Sequence, residues 1–318
     1  MNSVGFSIIY LFLLALILSL IQCKPFDIEP PFNIALDTHE EFHHYWYSGK
    51  AEITTYRLSQ SQYGEQYEGV LTTIFVTEDF NLEKGVKSDS QSDTFDHIIP
   101  VLKMIQEKRF LTGIYPYTKM VSVFSPLTGD QSGRAVKINS SATEWCGQTF
   151  SQWTGNPKQW EMESFSYFER QGDQKKNFER VWHEDEVWSV IRLAPEHLPL
   201  DTFSIIQGNF NLRDRVARAE MSNAVGQMLT ESDSSMVYQL FFLDTDRTLS
   251  IEFLPEFPHL ILGWTDVFFR HEQQIRHTVE RYKSMQIDYW NYNSNRYEYL
   301  YSKLMPESTV FKNEIINN

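Results

Sequence analysis

The sequence predicts a mainly β protein, a large curved antiparallel sheet or open barrel with a mid-chain helix and C-terminal helices. Three observations point there. Aromatic residues make up 15% of 318 residues, and Tyr and Phe suit pleated, half-buried surfaces. Short stretches rich in Ile, Val, Thr, Tyr and Phe recur between glycines and polar runs. Hydrophobic residues at 42% and charged residues at 22% are ordinary for a folded chain, so a normal core is expected. The formal charge of −14 argues against a nucleic-acid partner, which needs a Lys/Arg surface to displace counterions.

The chain begins with a segment outside that fold. Val4 to Ile21 is almost wholly apolar and uncharged, then meets Gln22-Cys23-Lys24-Pro25. Residues 1–22 read as an export signal, and the run is also long enough for an uncleaved membrane anchor. Leu20-Ile21-Gln22-Cys23 is similar to the lipobox of bacterial lipoproteins, in which the cysteine is acylated, with Gln22 standing where that pattern has a small residue. Cys23 is the expected lipidation site, and the alternative is a plainly cleaved signal. Either route places the body outside the cytoplasm, at the cell envelope. Residues 23–36, with Pro25, Pro30 and Pro31, form a tether, and 37–318 read as one β-rich domain. With Cys23 lipidated or removed, Cys146 is the remaining thiol and no intramolecular disulfide is expected.

Asp37 to His44 suits a short helix, with Asp37 or Thr38 as cap and Glu40 and Glu41 in the first turn. It contains a literal His-Glu-x-x-His: His39, Glu40, His43. Two imidazoles four residues apart on one helical face can share zinc while the Glu polarises its water. Against this, Glu41 stands where an apolar residue usually packs, and the run after His43 offers no third ligand at the expected spacing. The reading favoured is a solvated helix without metal.

Strands are expected at Ala51 to Leu58 and Val70 to Thr77, as an antiparallel pair around Gly64 and Gly69, with Lys50 and Glu52 on one side as a solvated face or a pocket-rim pair. Glu83 to Asp96 is polar and reads as an exposed loop. More strands are expected at Ile98 to Ile105, Gly113 to Phe124, Ala135 to Ile138 and Trp160 to Phe168. Phe178, Val181, Trp182, Trp188 and Ile191 predict a helix over Phe178 to Leu193. Arg213 to Leu229 fits helix and strand equally. Met236 to Leu243 and Arg247 to Leu254 read as a hairpin joined by Asp244-Thr245-Asp246, followed by a strand over His259 to Phe269. Ile275, Val279, Tyr282 and Met285 predict a helical region from about 271 to 287.

Several blocks together carry a family likeness: Trp46 to Ile53, Ile74 to Phe80, Thr112 to Tyr117, Glu144 to Gly147, Ser166 to Glu169 and Asp246 to Leu249. They resemble a family of exported bacterial proteins of unknown function that often carry the borrowed label "septum formation inhibitor Maf". The resemblance spans Trp46 to Trp290 and implies no reaction. True Maf proteins are cytoplasmic nucleotide pyrophosphatases with a Ser-x-Ser-Pro-Arg-Arg loop. Phe124-Ser125-Pro126-Leu127, the nearest fragment, lacks both arginines.

With no phosphate loop, nucleophile elbow or repeat, no cofactor is expected. The leading expectation is a lipid-anchored envelope protein that binds an apolar ligand, a glycan or an envelope partner. The rival class is a hydrolase, zinc-dependent through His39, Glu40 and His43 or thiol-dependent through Cys146.

Overall fold

The computed structural model describes residues 33–89, 97–232, 234–270 and 273–306. Residues 1–22, Cys23, most of the tether and part of the Glu83 to Asp96 run lie outside the described residues. A short helix α1 (Glu40–Trp46) precedes strands β1 (Ala51–Gln62), β2 (Glu65–Asn81), β3 (Val86–Lys87), β4 (Ile98–Thr112), β5 (Tyr115–Pro126), β6 (Lys137–Glu144), β7 (Gly147–Gly155), β8 (Gln159–Ser166) and β9 (Gln174–Glu179). Then come β10 (Trp182–His183), a 3-10 turn (Glu184–Glu186), α2 (Val187–Leu193), β11 (Asp201–Ile206), α3 (Asn209–Asp214), β12 (Met221–Ser232), β13 (Ser235–Phe242), β14 (Arg247–Phe253), β15 (Ile261–Arg270), β16 (Gln273–Ile287) and α4 (Glu298–Leu304).

All these strands form one open sheet in the order β10 to β16, then β1, β2 and β4 to β9, with β3 beside β2. The pairs are antiparallel except β10 with β11. The sheet curls until its edges face each other without pairing. Lys176 and Gln171, beside the β9 edge, donate to the carbonyls of Ala219 and Ala217 in the segment before β12.

Strand alternation explains the inside of the curl. Leu102, Met104, Gln106, Lys108 and Phe110 of β4 are buried, while the intervening residues are less so. In β1, Glu52, Tyr56 and Gln60 all reach groups inside: Arg192, the Ile261 carbonyl and Lys108. Every residue of α2 is buried, because the helix stands within the curl. Trp188 packs on Trp264 with ring centroids 4.6 Å apart.

Polar anchors hold this central segment. Glu184 takes both Arg247 guanidinium nitrogens, at 2.6 and 2.8 Å. Asp185 accepts from the backbone and side-chain nitrogens of Asn209. Glu186 accepts from Arg134 and Arg180 and from the backbone of Ala135 and His183. The two arginines also stack 3.9 Å over Trp182 and Trp160 respectively. At the far end of α2, Arg192 donates to Glu52 at 2.7 Å and to the Pro258 carbonyl, and Tyr45 of α1 donates to the same Glu52. Burial pushes Glu186 up, but Arg134 and Arg180 overcome it and hold the carboxyl down to about 2.

Four sequence expectations change here. The helix expected over Phe178 to Leu193 covers only the end of that range, because β9 runs through Phe178 and its apolar neighbours pack as strand residues. The region from 271 to 287 is not helical: β16 occupies it, since pairing with both β1 and β15 overrides a helical period. Arg213 to Leu229 divides, with α3 ending at Asp214 and β12 starting at Met221. His39, not Asp37 or Thr38, caps α1 and makes no side-chain cap bond. The antiparallel pairing of β1 with β2 and the Asp244-Thr245-Asp246 hairpin are as expected.

Two predictions follow from the buried charges. Glu186→Gln leaves two buried guanidiniums short of their counter-charge, and urea denaturation is expected to show a loss of about 3–5 kcal/mol. The second concerns Asp185, which burial, then Glu184, pushes up from 3.8 to about 7. A carboxyl raised in the folded state contributes stability that is full below the unfolded value and lost as pH rises through about 7. Asp185→Asn is therefore expected to gain on the wild type by roughly 2–4 kcal/mol between pH 4 and pH 8. Burial lowers His183 and His277 to about 3 and 4, an effect of opposite sign that is shared by both proteins and cancels in the difference.

Candidate functional site

Hairpin connectivity places one set of turns together at one end of the sheet. Tyr63-Gly64 joins β1 to β2, Gly113-Ile114 joins β4 to β5, and Trp145-Cys146 joins β6 to β7. The loop after β8, the segment after α3, the β13–β14 turn and the β15 and β16 ends lie at the same end, by register. Between them opens a vestibule of about 740 Å³.

Its floor is a buried charge cluster. Asp214, at the end of α3, bridges Lys119 of β5 and Lys108 of β4, the latter at 3.2 Å. Lys108 also donates to Gln60 Oε1 at 3.1 Å, and Gln60 Nε2 lies 3.1 Å from His277 Nε2. The Phe110 and Tyr117 rings stack in parallel beside Lys119. Burial alone pushes Asp214 up, and Lys108 and Lys119 reverse this and hold it well below the carboxylate range. Burial lowers Lys119, and Asp214 opposes the shift.

The walls carry more positive than negative charge. Five cationic side chains line the cavity, Lys119, Arg170, Arg213, Arg215 and Arg270, against the carboxylates Glu144 and Asp214. Arg213 pairs with Glu144 and lies 4.0 Å over the Phe168 ring. Arg270 donates to the Asp214 carbonyl at 3.1 Å. Arg170 and Arg215 form no ion pair with a described residue. Tyr63 and Tyr117 hydroxyls are 2.6 Å apart on one side, and Phe268 and Phe269 stand on another. Such a site can neutralise an anion and cover its polar body with aromatic faces.

A smaller chamber of about 40 Å³ lies behind the floor. Glu184, Asp185, Asp214, Asp266, Lys108, Arg247 and His277 meet around it. Its acids are held by Arg247, Asn209 and the two lysines, so it continues the internal polar network.

The residues singled out from sequence are scattered. Cys146 is exposed on the vestibule wall, and its backbone N–H donates to the Tyr115 hydroxyl. The histidine lining the same cavity, His277, is buried against Gln60. His39 Nδ1 donates to the Asp37 carbonyl while its ring packs edge-on to Phe257, and His43 lies against Tyr47. Among the described residues no three His, Cys, Asp or Glu side chains converge to hold a metal, so Glu40 has no metal-bound water to polarise there. Glu52 is not on a solvated face or a rim: it is 3% exposed and buried against Arg192, because β1 turns this side inward. Lys50 precedes β1 and is exposed.

Sequence reading missed Lys108, Lys119, Asp214, Arg215 and Arg270. A signal was present for two of them. Lys108 follows Leu102, Met104 and Gln106 on one alternating face, and Lys119 sits between Tyr117 and Val121 in the same way. A lysine within a buried alternation requires an internal counter-charge. The arginines lie on loops and strand ends, where no period marks them.

No protein-family model matches the chain, and no curated protein matches it. Among solved structures it is similar to a β-barrel-like protein of domain of unknown function DUF1849 from Brucella abortus, at 8% sequence identity and a TM-score of 0.42, over 75% of this chain and 98% of that one.

Proposed function

We infer that this is an exported binding protein, anchored through Cys23, whose vestibule takes a small anionic molecule with a polar body. The observation that carries the reading is the vestibule's excess of cationic side chains in a chain of net charge −14. Diffuse attraction cannot gather anions onto so acidic a protein, so local placement of Arg170, Arg215 and Arg270 is what offers them a site. The volume suits a ligand of several heavy-atom groups. Export rests on the apolar run Val4 to Ile21 and on the likeness of the Trp46 to Trp290 blocks to an exported family. The Maf label is not adopted, because its arginine loop is missing.

This refines the expected ligand. The inside of the curl is occupied by α2 and packed aromatic rings, so an apolar molecule held within the barrel is not favoured. The thiol-dependent hydrolase alternative is not favoured, because the histidine that lines the cavity of Cys146 faces Gln60.

Isothermal titration with glycerol 3-phosphate, against glycerol as the uncharged control, tests the reading. Wild type is expected to bind the phosphate ester selectively. Arg215→Gln with Arg270→Gln is expected to weaken binding at least tenfold, since a charge-assisted hydrogen bond contributes about 1.5–3 kcal/mol. Equal response to glycerol, or full binding by the double variant, overturns it.

A further inference from the structure

We propose that the vestibule end docks on a phospholipid surface, with the anion taken by the vestibule being a lipid headgroup. This deepens the anion-site reading and rests on it. At that end the turns carry large apolar side chains that nothing covers: Ile114 is 83% exposed, Tyr167 79%, Tyr63 70% and Trp145 66%. Leu243, in the β13–β14 turn, and Phe269, at the end of β15, extend the ring. Turn tips are ordinarily polar, and an exposed apolar side chain there gains nothing from the fold. Several on neighbouring turns of one end need a common reason.

The opposite end differs. Its hairpin turns include Thr128-Gly129-Asp130, Asn156-Pro157-Lys158 and Pro255-Glu256, and its exposed apolar side chains, among them Leu200 at 53%, Val86 at 46%, Trp290 at 44% and Tyr47 at 43%, are less exposed than the vestibule tips. Among the described residues, large apolar side chains more than 60% exposed thus occur at the vestibule end alone.

Two arguments favour a bilayer over a protein partner. The most exposed side chains, Tyr63, Ile114, Trp145 and Tyr167, come from four different turns around the opening. A fluid surface can accept each tip independently, and Trp and Tyr settle at headgroup depth. Charge complementarity adds to this, because the opening between the tips holds Arg170, Arg215 and Arg270, which face a layer of phosphates once the tips are seated. Glu169, Asp244 and Asp246 at the same end oppose non-specific adsorption, so insertion of the tips supplies attachment and the arginines supply headgroup preference.

The test uses full-length protein and vesicles of phosphatidylcholine, with or without phosphatidylglycerol, whose acyl chains are brominated. Brominated chains quench a tryptophan only at contact. Subtracting the emission of Trp145→Phe isolates Trp145, so attachment through the N-terminal apolar run does not enter the readout. Trp145 is expected to lose more than half its emission on phosphatidylglycerol vesicles. Ile114→Ser with Tyr167→Ser, both at exposed tips, is expected to reduce that quenching severalfold while glycerol 3-phosphate binding persists. Arg215→Gln with Arg270→Gln is expected to abolish the difference between the two vesicle types. Unquenched Trp145, including the case in which the tips take a protein partner instead, overturns the proposal. So does quenching that is indifferent to the tip substitutions. Failure of glycerol 3-phosphate binding with Trp145 still quenched removes the anion-site reading and leaves a lipid-docking ring without a headgroup site, which overturns the proposal as stated.

Discussion

Three adjacent carboxylates, Glu184, Asp185 and Glu186, are set inside the curled sheet, and the architecture depends on satisfying them. Consecutive side chains point in different directions, so their partners come from different parts of the chain. Glu184 is met by β14, Asp185 by the start of α3, and Glu186 by the segments that precede β6 and β10. A central segment held by apolar contacts alone could slide or rotate by a residue. One held by directional charge pairs cannot, because any slip leaves a buried charge unpaired at a cost of several kcal/mol. The gain here is in specificity of packing, with α2 fixed lengthwise between the Arg247 and Glu52 levels.

The same logic continues outward to the vestibule. Asp214 between Lys108 and Lys119 closes the interior with a layer whose charges are mutually compensated. Above it the balance shifts, and Arg170 and Arg215 stand without a described counter-ion. The polar interior and the candidate site are therefore one continuous arrangement, compensated below and cationic at the surface. Carriers with hollow barrels use the interior for their ligand. In this chain α2 and its aromatic neighbours fill that space, and the vestibule opens at the rim instead.

The sheet was legible because strand alternation is local: β1, β2, β13 and β14 each show it in their own residues. β16 was misread because Ile275, Val279, Tyr282 and Met285 also fit a helix, and only pairing with β1 and β15 decides between them. The central segment was hidden for a different reason. His-Glu-Asp-Glu followed by an apolar run looks like a solvated helix start, and nothing local reveals that Arg134 and Arg247 arrive from far along the chain. His39, Glu40 and His43 show the converse, since a local pattern can be complete while its surroundings supply no third ligand. The vestibule was least legible of all, being assembled from turn tips that share no period and meet only when the sheet curls.

The described chain enters at the end opposite the vestibule. Ile34 is buried there, exchanging hydrogen bonds with Ser132 in the loop before β6, and Gly133 beside it has φ +72° and no room for a Cβ against Ile34. Entry and opening are separated by the length of a strand, about 40 Å for the twelve residues of β1. The molecule is thus directional. If its leading segment is held at one surface, the body acts as a spacer that carries its mouth outward, within reach of a second surface facing the first.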